Sequence, residues 1–405
     1  MDAQGFCDER FSAVAEEFQR NLEERGEVGA SVAVSVAGET VVDLWGGSLD
    51  ADRTRPWEKD SLCVAMSSTK GAVALAAHLL AAAGELDLDA PVSTYWPEFA
   101  AAGKEAVLVR HLLSHQAGLP ALRAPLPPGA LYDWDDMVER LAAEEPFWEP
   151  GTRHGYHALT FGYLVGEVIA RVSGRPVGEF IASEIADPLG IDLFVGLPAS
   201  EHGRVATLLP PPMPGPGEAI PRFLLEAMSD PTSLAGLVMG NNGGYLVPGE
   251  WDSPAALSAV IPSAGGVMNA RALAGMYGAI VHDHAVGRFT LDDEDLAQMG
   301  SVQSAGSMDA VLSAPGRWSL GFMKAGWTPR GSEPEVVVSL SETAFGHTGN
   351  GGSIGFGDPA CALGFGYVMN QMSAAMGLGP TGQSLVDATY RALGHRRAKH
   401  HLWVR

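Results

Sequence analysis

Ser67-Ser68-Thr69-Lys70 stands at the head of a long run of small residues. Four residues make about one helical turn, so Ser67 and Lys70 share a face of any helix that starts here. A hydroxyl is a poor nucleophile until a base takes its proton, and a partly desolvated amine one turn away is such a base. Unpaired N–H groups and the positive dipole end also gather at a helix start, where they can hold an oxyanion. The tetrad therefore offers a nucleophile, a base and part of an anion site. The stretch 72–83 behind it is almost wholly apolar. A lysine on a buried helix is costly without a partner, which argues for a task rather than decoration.

Two more segments add chemistry. Gly155-Tyr156-His157-Ala158 precedes a helical pattern beginning at Thr160, and a phenol there can relay protons where neighbouring cations lower its pKa. His347-Thr348-Gly349-Asn350-Gly351-Gly352-Ser353 is a glycine-rich stretch that, on an edge strand, lets backbone approach a substrate closely.

The elements that must position these residues follow from periodicity. Arg10 to about Arg25 reads as an amphipathic helix. The runs Gly29–Val36 and Thr40–Trp45, split by Ala37-Gly38-Glu39, read as a hairpin. The Ser67 helix closes at Gly84. Helical periodicity then recurs near Val109–Ser114, Asp133–Ala143, Thr160–Val172 and Val177–Ile185. From Pro198 to Pro262 the composition shifts, and Leu209-Pro210-Pro211-Pro212-Met213-Pro214-Gly215-Pro216 cannot be a helix or a central strand. Such connections serve as lids, substrate walls or disordered segments. A helix from Asn269-Ala270 to about Ile280 follows. Strand-like runs then occupy Trp318–Met323, Val336–Leu340, Ser353–Phe356 and Leu363–Asn370, before a last helix near Gly382–Leu393. This predicts an α+β chain: an antiparallel sheet flanked by helices and built from both termini (1–65 and 300–405), with a mostly helical insertion (66–299) and the site in the cleft between them.

The totals narrow the function classes. The 405 residues, 46% hydrophobic, are enough for two well-buried cores. A formal charge of −22 disfavours nucleic acid and anionic lipid as partners. The basic tail of Arg396, Arg397, Lys399 and Arg405 reads as a solvated terminus. Cys7, Cys63 and Cys361 form no close motif, so neither a disulfide framework nor a zinc site is implied, and a reducing compartment fits. The opening residues lack a signal-peptide pattern, and no apolar run approaches the ~20 residues of a membrane span. A cytoplasmic location is expected, with no cofactor, no metal and no membrane partner; an oligomer is compatible with the sequence.

In order and type, the three motifs resemble the serine β-lactamase and penicillin-binding-protein superfamily. They are most similar to the β-lactamase-like esterases known as family VIII carboxylesterases. Asp43-Leu44-Trp45-Gly46-Gly47, the segment 109–119, Tyr163–Val168 and Phe345–Gly349 extend the likeness over nearly the whole chain. The resemblance implies Ser67 as the acylated nucleophile, with Lys70 and Tyr156 as the pair that activates it. It implies the N–H groups of Ser67 and Asn350 as an oxyanion hole, and His347, Thr348, Gly349 and Ala158 on the substrate face. Two departures stand out. Ala158 replaces the asparagine that contacts a lactam's side-chain amide, and His347 replaces a lysine that anchors a carboxylate. A mostly neutral imidazole is the weaker anchor, so both changes favour a neutral ester.

The expected activity is hydrolysis of a small-molecule carboxylic ester through an acyl-enzyme. An acyltransferase or amide synthase on the same machinery is the main alternative. β-Lactamase or D-amino-acid peptidase activity and a non-catalytic scaffold rank lower. Gly351-Gly352-Ser353-Ile354-Gly355 matches a nucleophile elbow, but that elbow needs a following helix, and Phe356-Gly357-Asp358-Pro359 is none. His282 and His284 lack a third ligand and read as solvated. His111, His115 and Arg110 read as local hydrogen-bonding residues, and Cys63 as a buried apolar one. Tyr132, Trp134, Trp148 and Trp251 fit an acyl pocket or ordinary packing equally well.

Overall fold

The computed structural model describes residues 2–212, 220–326, 338–375, 377–398 and 402–405. Its main element is a six-stranded antiparallel sheet. The strands run in the order Gln4–Cys7, Glu39–Gly47, Gly29–Val36, Leu363–Met369, Ile354–Asp358 and Phe345–Thr348. The two chain ends meet where Leu363–Met369 pairs with Gly29–Val36, Phe365 lying opposite Val34.

Both faces of the sheet are covered, and the pleat sorts its residues between them. Val32 and Val34 join one core with Phe11, Val14 and Phe18 of the first helix, Ser12–Glu24 and its entry, and with Leu385, Val386 and Tyr390 of the helix Gly379–Ala392. Ala33, between them, faces Ala270 and Ala274 on the helix Ala270–Gly278. Small residues bring that helix unusually near. A Cβ on Gly366 would lie 2.1 Å from the Ala270 carbonyl oxygen, and one on Gly364 2.3 Å from that of Ala274. This helix falls within the span expected to form the helical insertion (66–299), yet it packs on the sheet. The reason is the glycine-lined face that only a close helix can fill.

The helical part surrounds Thr69–Ala82, whose residues from Thr69 through Leu80 are all buried. Thr160–Ser173, Trp134–Ala143 and Val109–Leu113 complete this layer. A small antiparallel sheet of Cys63–Val64, Gly266–Met268 and Leu193–Val195 leads into the Ser67 segment.

Several elements differ from expectation. The helix starting at Val177 ends at Ile181 and continues as a wide π turn, Ala182–Ala186. The run Trp318–Met323 is not one strand: Gly316–Trp318 pairs with Ser304–Gly306, and a tight turn through Gly321 then brings Met323 alongside Gly346. The 198–262 region contains short helices, among them Arg222–Ser229, Leu234–Gly240 and Pro254–Ser258. Leu209 is not a free loop residue, because its N–H donates to the Asn370 carbonyl at 2.7 Å. The rest of the proline-rich stretch, from Met213 to Pro216, and the first part of Val336–Leu340 lie outside the described residues, as does Lys399. In the basic tail, Arg396–Arg397 is exposed and pairs with Trp403–Val404, whose Trp403 is buried. Among the described residues no helix is long and apolar enough to cross a membrane.

Candidate active site

The Ser67 segment begins with backbone strain. After the strand Cys63–Val64 and Ala65, Met66 takes a left-handed φ of +46° and is almost fully buried. A non-glycine residue in that region costs about 1–3 kcal/mol and persists only where its surroundings hold it. The kink leads into a single 3₁₀ turn, Met66–Ser68, ahead of the helix. Ser67 is half-buried in the middle of that turn, whereas Ser68, Thr69 and Lys70 are buried. Each flanking side chain has a holding role. The Thr69 hydroxyl donates to the Met66 carbonyl at 2.6 Å and accepts the Gly266 N–H at 2.9 Å. The Ser68 hydroxyl lies 3.2 Å from the His347 carbonyl and 3.1 Å from the Ser353 hydroxyl.

Lys70 and Ser67 do share a face, with Nζ 3.2 Å from Oγ. Nζ also donates to the carbonyl oxygens of Ala158 at 2.7 Å and Ser263 at 2.9 Å. Burial pushes the Lys70 amine well below the usual lysine range. An uncharged amine has two N–H bonds and one lone pair. With both N–H bonds on carbonyls, the lone pair is left for the Ser67 hydroxyl. That is the arrangement of a base ready to take a proton.

Tyr156 completes the group. Its ring lies under Lys70, the amine 4.9 Å from the ring centroid. Burial pushes its phenol upward, opposed by hydrogen bonding to Ser67. The phenol is therefore the protonated partner, and the amine the one driven toward its neutral form. Ala158 has no side chain to offer a substrate, but its carbonyl is one of the two that orient Lys70. Ser263, not singled out in the sequence, is the other holder. Its hydroxyl donates to the Leu159 carbonyl and accepts the Gly162 N–H, both at 2.6 Å.

The glycine-rich segment closes the opposite side. His347 and Thr348 lie at the end of the edge strand and are buried, Gly349–Gly352 forms a turn, and Asn350 is exposed. Gly349 must be glycine: a Cβ there would sit 2.3 Å from the Ala65 carbonyl oxygen. The N–H groups of Ser67 and Asn350 donate to no described residue. Such free N–H groups are what an oxyanion site requires. The His347 ring is held by a 2.7 Å contact between Nδ1 and the Thr348 carbonyl, and burial lowers its pKa to about 3. It is a neutral imidazole here, not a cation. The competing serine, Ser353, is buried and donates to the Ala65 carbonyl at 2.7 Å, so it pins the turn to the Ser67 segment.

An apolar wall flanks the group. Ala121, Val238 and Val311 form a small core, against which Tyr156, Ala158, Phe147, Leu234 and Leu237 pack. The compositionally odd 198–262 segment thus supplies part of the site's lining through the helix Leu234–Gly240.

The remaining candidates are structural. His111 Nδ1 accepts the Leu108 N–H at 3.2 Å, and Arg110 pairs with Asp89. His115 Nδ1 accepts the His157 N–H at 3.1 Å while its ring edge meets Tyr156. The Cys63 thiol donates to the Met369 carbonyl. Tyr132 bonds Glu250, Trp134 bonds Glu167 and Trp251 bonds the Leu208 carbonyl, so these rings are fixed in packing. Trp148 lies edge-on to His157. Among the described residues no cluster of three or more His, Cys, Asp or Glu is placed to hold a metal ion.

This chain matches a family model described as Beta-lactamase over residues 14–386. The esterase/beta-lactamase LipL of Mycobacterium tuberculosis is 35% identical over 377 residues, which is 91% of this chain and 83% of LipL. Among solved structures, a family VIII carboxylesterase shares 37% identity at a TM-score of 0.82, covering 97% of this chain and 100% of its own. A penicillin-binding protein homolog from Caulobacter crescentus has the same identity, TM-score and coverage.

Proposed function

Because this chain belongs to the beta-lactamase family, we propose that it is a serine esterase acting through an acyl-enzyme on Ser67. The observation that carries this reading is the setting of Lys70: two N–H bonds spent on carbonyls, burial favouring the free amine, and a hydroxyl 3.2 Å away. Lys70 takes the Ser67 proton as Oγ bonds to the ester carbonyl carbon. The N–H groups of Ser67 and Asn350 hold the oxyanion, each such donor being worth about 3–4 kcal/mol of barrier. The tetrahedral intermediate collapses, the C–O bond to the alcohol breaks, and Tyr156 delivers a proton to the departing oxygen. Water then gives its proton to the same pair and attacks the acyl carbon; the bond from that carbon to Ser67 Oγ breaks, the pair returns the proton to Oγ, and the acid leaves.

The substrate face supports a neutral ester. Where a lactam's carboxylate would look for a cation, His347 is an uncharged imidazole beside Thr348 and Gly349. Where its side-chain amide would look for a partner, Ala158 and the Leu237–Val311 wall are apolar. LipL is named as an esterase/beta-lactamase, and the solved neighbour as a carboxylesterase. The partner is therefore a small-molecule ester with an apolar acyl chain. We place the protein in the cytoplasm, where three unpaired thiols remain reduced.

Hydrolysis of p-nitrophenyl acetate and butyrate tests the reading, with nitrocefin assayed on the same preparation. Ester turnover that disappears in Ser67→Ala, with nitrocefin turnover far lower, is the expected result. Full ester hydrolysis by Ser67→Ala overturns it. Adding alcohol or amine acceptors and analysing the products separates hydrolysis from acyl transfer.

A further inference from the structure

Tyr156 is held from behind by a segment that contains none of the three motifs. The chain from Ser304 to Trp318 forms a hairpin whose two strands, Ser304–Gly306 and Gly316–Trp318, pair antiparallel. Its last residue, Trp318, lies flat against Tyr156: the ring centroids are 5.2 Å apart and the planes differ by 9°. Its loop carries Asp309, which is fully buried. One oxygen of Asp309 accepts the Tyr156 N–H at 3.0 Å and also the N–H groups of Val311 and Leu312, both at 2.9 Å. The other oxygen faces the buried His154 imidazole, with Nε2 3.8 Å away. The Ala310 N–H returns to the His154 carbonyl at 3.1 Å. The hairpin thus grips the tyrosine twice, once through its backbone and once through its ring.

These contacts are costly in isolation. A carboxylate without solvent is stabilised only by the N–H groups it accepts, and an indole stacked on a phenol gains about 0.5–1.5 kcal/mol. Burying an aspartate and a tryptophan side by side at one tyrosine is economical only if that ring's placement matters. The ring also sits between Lys70 on one side and the edge of His115 on another, so a small rotation would carry the phenol away from Ser67.

We propose that Asp309 and Trp318 are positioning residues for Tyr156, with Asp309 setting its backbone and Trp318 its ring plane. The proposal rests on the proton-relay role assigned to Tyr156 above. It places a determinant of turnover 153 residues beyond the tyrosine.

A double-mutant cycle tests it. Trp318→Leu removes the stacking surface and lowers kcat by about 100-fold, the scale of a misplaced reacting group, with little change in KM. Trp318→Phe keeps a flat ring and restores most of that loss. In a Tyr156→Phe background, Trp318→Leu costs no more than about a further twofold, because the group it positions is gone. Asp309→Asn, which keeps an acceptor oxygen, folds and guards against an Asp309→Ala that does not. Asp309→Asn combined with Trp318→Leu falls short of the product of the two single effects. An equal loss from Trp318→Leu with and without the Tyr156 hydroxyl overturns the proposal, as does undiminished kcat in that variant. The rate of Ser67 modification by a fluorophosphonate is followed in parallel. If the native protein is labelled rapidly but hydrolyses no ester, the esterase reading fails while the labelling rates still decide the role of the hairpin.

Discussion

Ser353 donates its hydroxyl to the carbonyl of Ala65 across 2.7 Å, tying the glycine-rich turn to the strand end that leads to Ser67. The two segments are 288 residues apart in the chain, and the Ser68 hydroxyl joins the same knot at 3.1 Å. Ser353→Ala leaves the Ala65 carbonyl without this donor, a loss of about 1–3 kcal/mol for a buried polar group. The variant melts earlier yet is still modified at Ser67 by a fluorophosphonate, as read by mass spectrometry of the labelled peptide. Loss of all labelling in Ser353→Ala, with labelling retained in Ser67→Ala, would reverse the two assignments.

Lys70 is arranged for reactivity at the expense of stability. Its folded-state pKa is lowered, so between that value and the usual lysine range the unfolded chain binds more protons than the folded one. Stability then rises with pH through that window. Lys70→Met removes the dependence. Urea unfolding at pH 6 and pH 9 shows the native protein gaining stability relative to Lys70→Met as the pH rises. At pH 6 the variant is at least as stable as the native protein, but its ester hydrolysis falls by about 1000-fold or more, in the usual range for a lost general base. Activity of the native enzyme climbs along an acidic limb that reports Lys70 deprotonation.

A second buried acid supplies a dependence of opposite sign. Glu27 lies at the end of the first helix's connection, fully enclosed, with Tyr367 donating to its carboxyl, and burial raises its pKa to about 8. The folded state therefore keeps a proton that the unfolded chain releases near pH 4.5. The contribution of Glu27 to stability is fully present below that pH and is lost as the pH rises through about 8. Glu27→Gln keeps the shape without the charge, so its thermal midpoint exceeds that of the native protein at pH 8 by more than at pH 5. A constant difference across that range would show that Glu27 is ionised throughout.

What could be read before the fold was seen depended on how local the signal was. The hairpin Gly29–Val36 and Glu39–Gly47 is legible because alternation and a Gly-containing turn lie within twenty residues. Ser67, Lys70 and Tyr156 are legible because their neighbours form recognisable phrases, and the structure brings them together. Ser263, Asp309 and Trp318 are not. Each acts on the site through a contact more than 150 residues away, and a lone serine, aspartate or tryptophan has no local signature. The helix Ala270–Gly278 was legible as a helix, but its seat on the sheet depends on glycines near residue 365. The break after Ile181 has no such cue, since Ala182–Ala186 suits an ordinary helix and widens through tertiary packing.

The apolar wall beside Tyr156 and Ala158 supplies a test of acyl-chain length. Leu237 is half-buried on the helix Leu234–Gly240 and packs with Ala121, Val238 and Val311 beside Tyr156 and Ala158. Leu237 also lines a cavity of about 20 Å³, together with Leu122, Leu126, Leu131, Met137 and Leu159 among others. A cavity of that size admits no acyl chain. Leu237→Ala removes three carbons from a side chain shared by the wall and the cavity, and so enlarges the apolar space beside Tyr156 and Ala158. The preferred acyl group of a p-nitrophenyl ester series, from acetate to octanoate, then lengthens by about two methylenes, each worth roughly 1–3 kcal/mol of discrimination when it finds a pocket. Acetate turnover changes little, because a two-carbon acyl group does not reach the wall. A uniform loss across the series would instead mean that Leu237 supports the fold of the wall without facing the substrate.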